Sequence, residues 1–112
     1  MRQDFQLPMT LTHLVTHPGD KTVLHSLDFD IVTVDNSEEE AWERHVQSVK
    51  TYVECGLSKG WQQYIRFRAP DEAWAQLTPD TPVRIMPPIV IEGRQTTVYA
   101  VTPKHEYLCA AG

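Results

Sequence analysis

A chain of 112 residues, 41% hydrophobic and 22% charged, has room for one domain with one modest core. The formal net charge of −5 makes direct binding to phosphate backbones a poor prospect. The two cysteines, Cys55 and Cys109, are too isolated to indicate a disulfide framework or a paired-cysteine metal site. No apolar run reaches the length of a signal peptide or a membrane span, so we expect a cytoplasmic protein without a membrane partner.

Three short strands are predicted first along the chain. Residues 9–17 alternate between apolar and polar side chains, which is typical of a half-buried strand. A turn at residues 18–21 leads into a second strand at 22–27, so the two strands form a hairpin. The β-branched residues at 31–34 favour a third strand.

A long amphipathic helix over residues 38–59 is the clearest local prediction. Ser37 and Glu40 form the S-x-x-E pattern of a capping box, and the acids at 38–40 suit the positive end of the helix dipole. Gly60 is well placed to end the helix in the left-handed conformation. One apolar stripe recurs at spacings of three and four residues: Trp42, Val46, Val49, Val53 and Leu57.

The C-terminal half predicts shorter elements. Residues 61–67 alternate like a strand, and residues 70–77 favour a short helix with Trp74 and Leu77 facing inward. Strand pieces at 83–86 and 89–91 are interrupted by two prolines, which indicates an edge or bulged strand. A turn at 92–94 precedes a last strand at 95–101, and residues 104–112 are expected to form a flexible tail.

Together these elements predict a single α+β domain over residues 1–112. We expect an antiparallel sheet of four or five strands packed against one long amphipathic helix.

The order of these elements resembles the HicB-like antitoxin family over residues 9–77. The family's Gly-Asp-Thr turn and Glu-Glu-Ala helix start correspond here to Asp35-Asn36-Ser37-Glu38-Glu39-Glu40-Ala41, with Asp35 in place of the glycine. The family's Ala-His-x-x-Glu-Leu segment corresponds to Leu24-His25-Ser26-Leu27-Asp28-Phe29. The resemblance implies a partial RNase H-type fold. It also implies a protein that neutralises a small, basic, RNA-cleaving toxin of the HicA type by covering its active surface.

The resemblance ends before the last third of the chain. Complete HicB antitoxins usually continue into a helix-turn-helix or ribbon-helix-helix domain that binds DNA. Residues 78–112 are proline-interrupted and strand-like instead. We therefore expect residues 78–103 to extend the sheet, and we expect no direct binding to nucleic acid.

Negative charge is concentrated before and within the start of the long helix. Residues 28–43 hold seven acids and neither lysine nor arginine. This segment is either a solvated loop and helix start or a surface that attracts a basic partner. In the second interpretation the candidate partner-binding residues are Asp28, Asp30, Asp35, Glu38, Glu39 and Glu43.

No pattern in the chain indicates catalysis. Asp28, Asp30 and Asp35 are acids of the kind that nucleases use, but they crowd into one bend and one turn. His13, His17 and His25 lack a carboxylate or cysteine at a spacing typical of metal ligands. We expect no catalytic residue, no metal and no cofactor. The favoured function is a non-catalytic protein-binding module, and the alternative is a phage or mobile-element inhibitor of another nuclease or nucleic-acid-binding complex.

Three tryptophans are a high number for a chain of this length. Trp42, Trp61 and Trp74, with Tyr64 and Phe67, either fill the core or form an interface, where aromatic residues are enriched. We expect a homodimer or a higher even oligomer, because closed symmetric assemblies are common among small proteins. Its interface is predicted to contain Trp61, Trp74 and Val98.

Overall fold

The computed structural model describes residues 10–61, 68–78 and 81–103, and in these ranges the chain is an α+β arrangement built on a five-stranded sheet. The long helix and the sheet strands follow the predicted order. The elements are β1 (Thr10–Thr16), β2 (Thr22–Ser26), β3 (Ile31–Asp35), α1 (Glu38–Ser58), α2 (Asp71–Trp74), β4 (Val83–Met86), β5 (Val90–Ile91), β6 (Arg94–Gln95) and β7 (Thr97–Val101).

The sheet is mixed, so the prediction of a wholly antiparallel sheet is wrong. Its strand order is β3-β2-β1-β7-β4, with β1 antiparallel to β2 but parallel to β7. The β1–β2 and β2–β3 pairs are hairpins, whose direction follows from short turns. Strand β7 is separated from β1 in the sequence by the long helix and by the segment that follows it. No local turn therefore fixes the direction of β7 relative to β1.

A second, two-stranded sheet pairs β5 with β6. Glu92 and Gly93 connect the two strands, and both have positive φ angles, 52° and 74°. A two-residue turn of this kind matches the twist of a hairpin. The predicted last strand at 95–101 is interrupted at Thr96, whose backbone N–H and hydroxyl both donate to the carbonyl of Ile89.

Helix α1 begins and ends as its sequence predicts. The Ser37 hydroxyl accepts a hydrogen bond of 3.2 Å from the backbone N–H of Glu40. At the other end, Gly60 adopts the left-handed conformation with a φ of 74°. The buried residues of the helix lie on one side: Ala41, His45, Val49, Val53 and Gly56.

The main core lies between α1 and one face of the sheet, which we call the helix face. Leu11 of β1 and Val98 of β7 are register partners there, and Val49 and Val53 of α1 pack over them. Each fully buried aliphatic side chain of this kind stabilises the fold by roughly 1.5–3 kcal/mol. Val98, predicted at an interface between copies, is 0% exposed because its register places it under the helix.

Among the described residues, those that cover the opposite face of the sheet pack at its centre. Leu14 and Val101 pack there against Ala69 and Ala73 around the short helix α2. Trp74 and Leu77 pack against the same cluster, which confirms their inward orientation. Toward the two edges of this face four apolar side chains remain exposed: Val32, Val34, Val83 and Ile85.

Some predictions lie outside the described residues. These are the strand at 61–67 beyond Trp61, and the tail at 104–112 with Cys109. Cys55 is a free, exposed thiol on α1. Neither helix in the described ranges combines the length and the hydropathy needed to cross a bilayer.

Candidate acidic interface

The exposed acids of α1 lie on the side of the helix that faces away from the sheet. Glu39 and Glu43 are one turn apart and therefore share a face, and both are exposed. At 100° per residue this face lies nearly opposite Ala41 and His45, which are buried against the sheet. We call the exposed carboxylates Glu39, Glu40 and Glu43 the acidic surface.

Asp35 borders the acidic surface but is held by the protein itself. Its carboxylate accepts a hydrogen bond of 2.9 Å from the Arg44 guanidinium, which also donates to the carbonyl of Val34. The backbone N–H of Asn36 donates to the other oxygen of Asp35 at 2.8 Å. The Arg44 contact first, and the Asn36 contact second, hold the pKa of Asp35 below its ordinary value.

Glu38 connects the helix to two neighbouring elements. One of its carboxylate oxygens is paired with the guanidinium of Arg84 on β4. The other lies 3.6 Å from Nε2 of His17, in the turn that follows β1. Glu38 therefore fixes the first turn of α1 against the sheet, beside the acidic surface.

Asp28 and Asp30 lie away from this group. They belong to the bend between β2 and β3, whereas Asp35 is at the far end of β3, about 15 Å away by the rise of a strand. Asp28 is only 4% exposed, and its carboxylate accepts a hydrogen bond of 2.8 Å from the backbone N–H of Thr12. Asp30 has a φ of 55° and its carboxylate lies 2.6 Å from Nε2 of His25.

The structure thus brings four of the six predicted partner-binding residues together: Asp35, Glu38, Glu39 and Glu43. It also adds Glu40. The sequence had assigned Glu40 to the helix cap, but its backbone N–H makes the capping bond and its residue is exposed. The three-residue spacing from Ser37 is the same whether the Glu40 side chain caps the helix or belongs to an exposed surface, so the sequence could not distinguish these two roles.

A buried pair of histidines lies on the opposite side of α1. His13 of β1 and His45 of α1 are both 0% exposed, and their ring centroids are 4.9 Å apart in an edge-to-face contact. Nδ1 of His45 lies 2.7 Å from the hydroxyl oxygen of Thr33 on β3. Burial lowers the pKa of His13 to about 4 and that of His45 to about 3. The sequence gave no sign of the contact between His45 and His13, because the two residues belong to different elements.

His13 and His25, which lie on the two paired strands of the hairpin, point to opposite faces of the sheet. His13 pairs in register with Ser26, so His25 is one residue out of phase. In the described ranges no three histidine, cysteine or acidic residues are grouped as a metal site would require.

The predicted aromatic interface residues have different surroundings. Trp61 is 50% exposed, and the ammonium group of Lys59 lies 4.9 Å from its ring centre. Trp74 is half-buried, with the guanidinium of Arg68 4.5 Å above its ring. Trp42 packs beside the buried histidine pair, and Tyr64 and Phe67 lie outside the described residues.

Beside β4, on the face opposite α1, lies an open apolar groove of about 330 Å³. Its lining residues come from β1, β4, β7 and the segment after α2: Thr12, Leu77, Val83, Tyr99 and Val101. The groove adjoins Ile85, which is 76% exposed on the edge strand.

Compared with protein-family models, with curated proteins and with solved structures, the chain matches none.

Proposed function

We propose that this protein is a non-catalytic binding module of the HicB-like antitoxin type. In this proposal it neutralises a small, basic, nuclease-like partner in the cytoplasm, and a HicA-type toxin is the expected example. The observation that carries the proposal is the acidic surface. Three exposed carboxylates point away from the core at the start of a helix whose other side is firmly packed.

The acidic surface is supported by fixed structure beneath it. The Ser37 cap and the pairing of Glu38 with Arg84 hold the first turns of α1 in place. The backbone that carries these carboxylates is already ordered, so binding costs side-chain freedom but little backbone freedom, which favours affinity. Complementary charge also speeds the encounter with a basic protein, and salt weakens that effect because it screens exposed charges.

Co-expression with the product of the neighbouring gene tests the proposal. We expect a small basic protein to co-purify with the tagged chain at low salt and to elute as salt rises. We also expect a growth defect caused by that protein alone to disappear when both are expressed. If the neighbouring product neither binds the chain nor harms the cell, the antitoxin proposal fails.

The acidic surface also favours a second candidate, an inhibitor from a phage or mobile element. Clustered carboxylates can occupy a protein surface that otherwise binds phosphates, because both ligands are anionic. Such an inhibitor would target another nuclease or nucleic-acid-binding complex. A chain encoded among phage genes, whose binding to its target is displaced by added DNA or RNA, would favour this candidate over the antitoxin.

We further propose that the protein forms homodimers or higher even oligomers. The support is the edge strand β4, where Val83 and Ile85 are 56% and 76% exposed beside the apolar groove. An open edge with apolar side chains is suited to pairing with a second strand. Of the three residues predicted for this interface, Trp61 and Trp74 remain in the proposal, and Val98 is replaced by Ile85.

A further inference from the structure

We propose that His13 and His45 form an acid-sensitive latch, which holds α1 on the sheet while both rings are neutral and releases it when they take up protons. This inference does not depend on the proposed function. It concerns the attachment of the helix, whatever the helix binds.

The two rings join the centre of the sheet to the N-terminal half of the helix. His13 belongs to β1, the third of the five strands, and His45 belongs to α1. Their edge-to-face contact is fully buried. Trp42 packs beside it, with its ring centroid 5.4 Å from that of His13. A change of charge at either ring therefore acts on the contact between the two main layers of the fold.

The pocket around the rings suits neutral imidazoles. Among the described residues, no hydrogen-bond partner of normal geometry reaches either ring nitrogen of His13 or Nε2 of His45. The hydroxyl of Ser26, the register partner of His13, is also buried and has no hydrogen-bond partner within the described part of the chain. A protonated imidazole donates from both nitrogens, so a protonated His45 would bury an Nε2 donor without an acceptor among the described residues. A protonated His13 would have only the weak support of the Tyr99 backbone.

The charged groups that face the pair are engaged elsewhere. On the helix face, β3 contributes Asp35, which is bound to Arg44, and β4 contributes Arg84, which is paired with Glu38. The Asp28 carboxylate accepts from the N–H of Thr12. His25 lies across the sheet beside Asp30, and β7 presents Val98 and Ala100 to the helix. No described acid is therefore placed to balance two imidazolium charges, which would also repel each other.

The direction of the pH effect follows from these surroundings. Burial lowers the pKa of His13 to about 4 and of His45 to about 3, from 6.5 in an exposed chain, although the Tyr99 backbone partly offsets this at His13. The released state therefore binds protons more readily than the native state. The stabilisation that neutral histidines permit is complete above pH 6.5 and is lost as pH falls toward 4.

Urea unfolding of the full chain between pH 6.5 and pH 5.0 tests the latch. Carboxylates with ordinary or lowered pKa values stay largely ionised in this window, so histidines dominate the change. Two buried histidines should raise the unfolding equilibrium constant about 200-fold across the window, and one should raise it about 15-fold. We expect the smaller change for His13→Phe, and also for His45→Asn, which keeps a polar atom near Thr33.

The exposed histidine His17 provides the control for this experiment. His17→Asn should keep the wild-type change of about 200-fold. The latch is rejected if His13→Phe also keeps the full change. It is equally rejected if NMR of the wild-type chain shows the His13 and His45 rings gaining protons near pH 6.5 while the native spectrum persists. This second measurement needs no variant to fold.

Discussion

The Asp28 carboxylate and the backbone N–H of Thr12 form a hydrogen bond of 2.8 Å that closes the open end of the β1–β2 hairpin. The carbonyl of Thr12 accepts from the N–H of Leu27 at 3.0 Å, so both backbone groups of Thr12 are bound to the bend that follows β2. An acid that composition alone would assign to a charged surface is therefore part of the framework.

Asp28→Ala is expected to destabilise the fold by about 1–3 kcal/mol, because the N–H of Thr12 would be left without its acceptor. Urea denaturation at neutral pH measures this difference. The exposed acid Asp20 provides the control, since Asp20→Ala should change the free energy of unfolding by less than about 0.5 kcal/mol. Equal effects of the two substitutions would contradict a structural role for Asp28.

Thr33→Val is expected to cost about 1–2 kcal/mol of stability. The methyl group replaces the hydroxyl that lies 2.7 Å from Nδ1 of His45, and the buried ring loses its hydrogen-bond partner. Thermal and urea denaturation should agree on the loss. Thr97→Val, at an exposed position of β7, makes the same chemical change and should be nearly neutral. A neutral Thr33→Val variant would show that the Thr33 contact does not stabilise the fold.

Local sequence patterns predicted the helices and strands, but they did not predict how all of these elements pair and pack. The capping residues and the apolar stripe specify α1 from Ser37 to Gly60, because each signal acts within one or two turns. The parallel pairing of β1 with β7 depends on contacts more than eighty residues apart in sequence. The strand pattern at 95–101 predicted neither this pairing nor the position of Val98 under the helix.

The candidate site shows the same limit. The charge count identified the acids at 28–43, but it did not distinguish Asp28, which is buried in the bend, from Glu39 and Glu43, which are exposed on the outer side of α1. The contact between His13 and His45 joins a strand to a helix, so no spacing within either element could reveal it. Tertiary contacts therefore decided which of the acids and histidines share a site.

Ser37→Ala should destabilise the protein by about 1 kcal/mol, because the N–H of Glu40 loses its capping hydroxyl. Chemical denaturation gives this value directly. Ser48 provides a matched serine inside the same helix, where its hydroxyl donates to the carbonyl of Arg44. Ser48→Ala should be neutral or slightly stabilising, since alanine has the higher helix propensity. The capping account would be wrong if Ser48→Ala cost more than Ser37→Ala.

Ile85→Lys should convert the proposed dimer into monomers, because it places a charge on the edge strand that we expect to pair. Light scattering coupled to size exclusion measures the mass. Trp74→Ala should weaken the dimer as well, whereas Val32→Lys, on the opposite edge of the sheet, should leave it intact. A wild-type mass of one 12.8 kDa chain at micromolar concentration would overturn this prediction.

The central claim is that the acidic surface binds a basic partner, and a calorimetric titration with charge-reversed variants tests it most directly. The titrant is the purified product of the neighbouring gene, measured at low and at high salt. We predict that Glu39→Lys/Glu43→Lys weakens binding roughly 10-fold or more at low salt, with a smaller difference at high salt. Glu72→Lys, at an exposed acid on α2, should bind like wild type. Unchanged affinity of the double variant, with its fold intact, would contradict the account.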